Sequence, residues 1–188
     1  MLRDTFISIA LLALIFFSNG VKSQTYVDLQ SGSLMGLVHT SVGYRFAEKH
    51  DLSLGLGYVP DLSYHEEMTL YSARYQYQGS TNIMLPGDIR WQPFRFGLSL
   101  LVAEHPDLYK QLPEQYPDGY YTPTAVRVIF NYQSTFDINA HTQLYWDISM
   151  LDVELASYIR EPNFFRENYE LFGLTGVTNF GFGIRHFF

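Results

Sequence analysis

Side-chain character alternates with a period of two over most of the chain, and a backbone with that pattern can only be a set of strands with two unlike faces. From Leu34 to Phe46 one face reads Leu34, Gly36, Val38, Thr40, Val42, Tyr44, Phe46, and the other Met35, Leu37, His39, Ser41, Gly43, Arg45. The same alternation returns over 52–58, 71–77, 94–102, 124–132 and 144–150. A final run reaches from Leu171 to Phe188. The less polar faces hold residues such as Leu54, Ala73, Phe96, Val128 and Ile148.

Alternation alone also fits a soluble β-sandwich or a lipocalin-like barrel with the apolar face as its core. The composition of the other face decides between them. Water-facing strands carry Lys and Glu, whereas here that face holds Gly, Ser, Gln, Asn and isolated Arg or Asp. Downstream of residue 23 the only lysines are Lys49 and Lys110, both in expected turns or loops. Charged residues are 16% of the chain and aromatic ones 17%, which excludes disorder. Small polar residues with scattered arginines suit the interior of a narrow barrel. The apolar face then meets lipid, with Tyr and Trp near the strand ends as a girdle. The expected fold is all-β, an antiparallel up-and-down transmembrane β-barrel of about eight strands.

The N-terminus fits this placement. Residues 6–17 (FISIALLALIFF) carry no charge and follow Arg3. A spanning helix needs about 20 apolar residues, so this stretch has the size of a signal-peptide core rather than an anchor. Val21 and Ser23 set small residues before a cleavage point after Ser23, giving a signal peptide over 1–23 and a barrel domain over 24–188. An uncleaved anchor is the alternative. The chain has no cysteine, which excludes a disulfide framework and thiolate sites. Its net charge of −7 argues against a nucleic-acid partner.

Counting Thr25 to Gln30 as a short first strand makes eight. Ala47 to Asp51 and Ser134 to His141 then become short turns on one side of the membrane, and Pro60 to Glu67, Glu104 to Tyr121 and Ile159 to Glu170 become loops on the other. Gly79 to Pro93 is long for a turn, and Met150 to Tyr158 breaks the alternation.

The chain ends NFGFGIRHFF, with Phe180, Phe182, Ile184, His186 and Phe188 on one face opposite Gly181, Gly183 and Arg185. This ending resembles the last strand of Gram-negative outer-membrane β-barrel proteins. That resemblance implies that Phe180, Phe182, Ile184 and Phe188 form the signal read by the barrel-assembly machinery. It also implies an outer-membrane location among lipid and lipopolysaccharide. Gly55 to Pro60 (GLGYVP) is similar to a motif of small barrels of the same bacteria and implies no activity.

Three groups of residues bear on chemistry. His39 and Ser41 lie two apart on one face, and a His beside a Ser activates its hydroxyl when an acid orients the ring. The pair resembles the His-x-Ser element of the outer-membrane lipid A deacylases, with Val42 where that family has Asn. The resemblance implies an ester-hydrolysing barrel in which Glu154 or Asp147 would orient His39. The plain alternative is a hydrogen-bonded pair in a polar interior. Second, His65, Glu66 and Glu67, with His105 after Glu104, are too few and too adjacent for a metal site, so no metal or cofactor is expected. Third, Arg45, Arg74, Arg95, Arg127, Asp147 and Arg185 all fall on the polar face. Five arginines against one aspartate need further acids from loops or from Glu154. They form either an anion path or a lumen plug of paired charges, and eight strands leave space for side chains only.

The expected protein is therefore a monomeric outer-membrane barrel. Its role is structural or interactive, through loops around His65, Tyr116 and Phe164, and no catalytic residue is assigned. The alternatives are a lipid A-modifying esterase and a soluble periplasmic carrier of an apolar ligand.

Overall fold

A computed structural model describes residues 24–61, 66–109, 125–152 and 178–188. The expected signal peptide, Glu154, and the loop residues His65, Tyr116 and Phe164 lie outside them. The strands are β1 (Gln24–Gly32), β2 (Val38–Phe46), β3 (His50–Val59), β4 (Met68–Gln78), β5 (Ile83–Leu85), β6 (Ile89–Glu104), β7 (Val126–Asp137), β8 (Thr142–Leu151) and β9 (Asn179–Phe187). All pairings are antiparallel. The ring runs β1-β2-β3-β4-β6-β7-β8-β9 and closes through β1 with β9. This is a closed up-and-down barrel of eight strands, with β5 outside the ring and paired only with β6.

Closure removes both sheet edges, so every wall strand has a neighbour on each side. The register then sorts the side chains. On β4, Leu70, Ser72, Arg74, Gln76 and Gln78 are buried while Tyr71, Ala73, Tyr75 and Tyr77 are exposed. The other wall strands alternate in the same way, with most inward positions polar except for the tyrosines, Phe187 and an apolar group at the far mouth, and most outward positions apolar. Val42 is 65% exposed, Leu54 70% and Phe182 66%. No outward wall position is Asp, Glu, Lys or Arg below Glu104 at the rim. Leaving a Leu or Phe in water forgoes about 1.5–3 kcal/mol of burial. Among the described residues the middle of the lumen is lined by polar side chains and shows no apolar cavity of the kind a soluble carrier needs.

Five details differ from the sequence reading. β7 runs to Asp137, so Ser134 to Asp137 are strand and the turn is confined to 138–141. β1 starts at Gln24 and runs nine residues rather than six. Residues 34–37 form a turn rather than the start of β2: Gly32, Ser33, Leu34 and Gly36 all have positive φ. That turn rolls Met35 into the barrel, where it is fully buried. β3 starts at His50, so Asp51 belongs to a strand instead of a turn. Gly79 to Pro93, too long for a simple turn, contains the hairpin of β5 with the first residues of β6, closed by Pro86, Gly87 and Asp88. Pro93, which cannot donate to a ladder, sits where the β6–β7 register shifts between Gln92 and Arg95. The connections 47–49, 79–88 and 138–141 share the end of the barrel that carries Gln24 and Phe188. The turn at 33–37 and the strand ends at Val59, Met68, Glu104, Val126, Leu151 and Asn179 share the other.

The barrel interior as candidate functional site

The lumen is built in layers. Nearest the termini, Asp51 of β3 holds three arginines. Arg45 donates Nε to Oδ1 (2.7 Å) and Nη2 to Oδ2 (3.0 Å). Arg95 donates Nη1 to Oδ2 (2.5 Å), and Arg185 donates Nη1 to the same oxygen at 3.3 Å. Asp51 is 2% exposed and Arg95 and Arg185 no more than 1%. Three cations on one carboxylate would be untenable without further acceptors. Arg185 gains them from its two ladder neighbours, Asp28 Oδ2 on β1 (3.0 Å) and Gln143 Oε1 on β8 (3.2 Å), and from Gln76 Oε1 of β4 across the lumen (3.1 Å). Its guanidinium also lies over the rings of Tyr26 and Tyr145, 4.6 and 5.3 Å from their centroids. Arg45 lies 4.4 Å over Phe187.

The two tyrosines fit because glycine faces them across the ladder. Tyr26 is opposite Gly43 and Tyr145 opposite Gly183. A Cβ on either glycine would overlap the facing ring. Tyr145 donates its hydroxyl to Asp28 Oδ1 at 2.7 Å, which joins it to the arginine layer.

Above this, Arg74 donates Nη2 to Gln30 Oε1 (2.9 Å) and Nε to Ser99 Oγ (3.1 Å). Gln30 passes the polarity on, donating Nε2 to Asp147 Oδ2 at 3.0 Å. Higher still, His39 Nε2 lies 2.8 Å from Ser72 Oγ, and Ser149 Oγ donates to the Ser33 carbonyl at 2.7 Å. An apolar cluster of Met35, Leu70, Leu101, Ala103 and Ile129 then seals the mouth farther from the termini.

The expected site residues are placed as follows. His39 and Ser41 both point inward, but the partner of His39 is Ser72, on a different strand from Ser41. His39 Nδ1 has no hydrogen-bond partner among the described residues, and Asp147 bonds to Gln30 and Gln133 instead. His39 and Ser41 are 1% and 6% exposed beneath the apolar seal. The described residues therefore hold a His–Ser contact without an orienting acid or a route for substrate. Arg127 stands at the far mouth, opposite Leu101, and donates to the Val126 carbonyl at 3.3 Å. Phe180, Phe182, Ile184 and Phe188 are on the outer wall.

The interior acids that the sequence tally lacked are Asp28 and Asp51. Asp28 already lies in the strand Thr25 to Gln30, and Asp51 was reachable by extending the alternation of 52–58 by one residue. Asp28 alternates with Val27 and Leu29, and Asp51 is in phase with Ser53 and Gly55.

At the rim of the far mouth, Glu66, His105 and Asp107 bring donor atoms within 4.8 Å of one another. His105 Nε2 contacts Glu66 Oε2 at 3.0 Å, and its Nδ1 accepts the Asp107 backbone N–H at 3.2 Å. With Nδ1 accepting, the ring proton is on Nε2 and given to Glu66. A metal at Nε2 would have to displace that proton and break the Nδ1 bond. The cluster is a clasp between two connections.

The fold and the interior together define a class: a barrel with an apolar wall and a filled, charge-paired lumen. No family model matches the chain, and no curated protein matches it. Among solved structures it is similar to the N-terminal β-barrel domain of Pseudomonas aeruginosa OprF, with a TM-score of 0.49 and 10% identity over 90% of this chain and 100% of that one. The barrel itself rests on the strand pairing of this chain.

Proposed function

We propose that this chain is an integral barrel of a Gram-negative outer membrane, exported by residues 1–23 and working as a monomer without catalysis. The observation that carries this reading is the outer wall, which has no Asp, Glu, Lys or Arg between its rims while arginines and aspartates are buried inside. Lipid removes the cost of that apolar exposure, and closure satisfies the backbone where no water reaches it. The filled lumen supports a structural or interactive role, with the long connections of the far end meeting lipopolysaccharide or a partner. The final strand, with Phe180, Phe182, Ile184 and Phe188 outward, suits engagement of the assembly machinery during insertion.

Fractionation of cells expressing the full chain tests the placement. The protein should stay in the outer-membrane pellet through alkaline carbonate washing and need detergent for extraction. Its folded and boiled forms should migrate differently on gels. Recovery in the soluble periplasmic fraction would refute it.

A further inference from the structure

Strand β4 ends at Gln78, opposite Arg95, but β6 runs on past it to Ile89. Along that extension β5 takes the place of β4 on one side, and β7 continues to Asp137 on the other. The three segments form a lip beyond the ring, at the end that carries the termini.

Directly opposite residues of an antiparallel pair share a face, so the register divides the lip into two sides. Ile83 is opposite Trp91 and Trp91 opposite Phe136, and the row continues through Leu144 to Ile184 on the outer wall. Leu85 and Ile89, the next pair in phase, extend this side. Trp91 stacks on Phe136 with 4° between the ring planes, and it donates Nε1, its only side-chain donor, to Ser134 Oγ at 2.8 Å. These outer residues leave no polar side-chain group in need of a partner. The other side carries Asn82, Arg90, Gln92 and Asp137. There Arg90 pairs with Asp137 at 2.6 Å, and Gln92 donates Nε2 to Asn82 Oδ1 at 2.9 Å. Asn82, Arg90 and Gln92 line the cavity at this mouth, so the polar side is turned toward the barrel axis.

Two observations decide what covers the outer side. From Gly79 to Gly87 there is no Asp, Glu, Lys or Arg, although charge is a usual guard of strand edges that stand in water. Yet among the described residues β5 has a ladder partner on its β6 side only, so its free edge keeps backbone N–H and C=O groups that hydrocarbon cannot satisfy. An uncharged apolar face beside a backbone edge that needs water matches the boundary between headgroups and acyl chains, where indole rings also collect.

We propose that this lip is an interfacial anchor. Ile83, Leu85, Ile89 and Trp91 lie against lipid at the headgroup level of the leaflet on the terminal side, while Arg90 and Asp137 stay in the watery mouth. The anchor rests on the membrane placement of the barrel and extends its apolar wall past the ring.

The chain has no cysteine, so a single label can be placed at will. Ile83→Cys, Met84→Cys and Leu54→Cys are each expressed as the full chain, purified in detergent, labelled with an NBD fluorophore and reconstituted into phosphatidylcholine vesicles. Met84 is opposite Arg90 on the polar side, and Leu54 is on the wall within the ring. Lipid with a nitroxide near the headgroup end of its acyl chain should quench position 83 at least twofold more than position 84. It should also quench position 83 more than lipid with a nitroxide near the chain end, and the latter should quench position 54. Trp146→Phe leaves Trp91 as the sole tryptophan, and its unlabelled emission should show the same preference for the shallow nitroxide. Gel mobility before and after boiling checks that each variant is folded. Quenching at 54 without an excess at 83 over 84, or a Trp91 indifferent to the nitroxides, overturns the anchor and leaves the barrel in its membrane. A position 83 shielded from water yet unquenched, as a protein partner would leave it, overturns the anchor too. No quenching at 54 overturns the membrane placement itself, and the anchor with it.

Discussion

Asp51 shows how much one side chain can decide inside a barrel. A buried carboxylate shared by three guanidiniums is strong only as a set, because removing it leaves Arg45, Arg95 and Arg185 facing one another. Asp51→Ala should therefore cost about 3–5 kcal/mol, the range for breaking a buried ion pair. Urea unfolding in micelles followed by tryptophan fluorescence reads this, and a loss below 1 kcal/mol would refute the hub. His39 and Ser41 call for the opposite expectation. With Ser72 as the partner of His39 and no acid on Nδ1, Ser41→Ala should leave the acylation pattern of lipid A unchanged by mass spectrometry. Loss of an acyl chain in cells expressing the parent, but not the variant, would restore the esterase reading. Asp28 was legible as a polar-face residue within Thr25 to Gln30, and Asp51 once its strand was extended back to His50. The partners of Arg185 were not, because its acceptors come from four other strands that only closure brings together.

Strand β9 joins two requirements in one element. Its outward residues face the surroundings, while Gly183 and Arg185 complete the lumen. Gly183 lies opposite Tyr145, whose ring occupies the space a side chain would take. Gly183→Ala should push Tyr145 off Asp28 and Arg185 and destabilise the barrel by about 1–3 kcal/mol, the usual cost of overpacking. Gly87→Ala, at a turn with open space around it, meets only the backbone cost of its positive φ, whereas Gly183 has no positive φ and meets only the ring. Measured midpoints should fall further for Gly183→Ala than for Gly87→Ala. The outward side has its own expectation: Phe188→Ala should lower the amount of assembled protein in cells while refolding in micelles proceeds as before. Equal losses in both settings would assign Phe188 to stability rather than assembly. The alternation in 180–188 marked this strand plainly. The β5–β6 hairpin was illegible, since three residues of strand are too short to show a period.

As a whole molecule, the barrel has one mouth sealed by Met35, Leu70, Leu101, Ala103 and Ile129, and a middle filled by arginine, amide and tyrosine side chains. Such a lumen conducts no ions. Planar bilayers containing the purified protein should show no discrete conductance steps, and reproducible steps would contradict the filled interior. The outer wall carries a separate prediction. Leu54 is central on β3, with Val42 and Ala73 opposite it on the neighbouring strands. Leu54→Arg should cost about 2–4 kcal/mol in a lipid bilayer, as expected for a cation near the midplane. The same change in a water-soluble protein would cost little, so equal stability in lipid would sink the membrane reading.

The period of two, read with the polar but lysine-poor second face, determined by itself that this chain forms strands with one apolar and one polar side, and closure of the barrel decided that the polar side faces in. Alternation is a local property, imposed by the direction of successive Cβ atoms, and so it survives in a one-dimensional reading. Which charges meet is not local. The Asp51 hub, the Arg185 stack and the displacement of His39 onto Ser72 all depend on register and closure, which place residues far apart in sequence within hydrogen-bond distance.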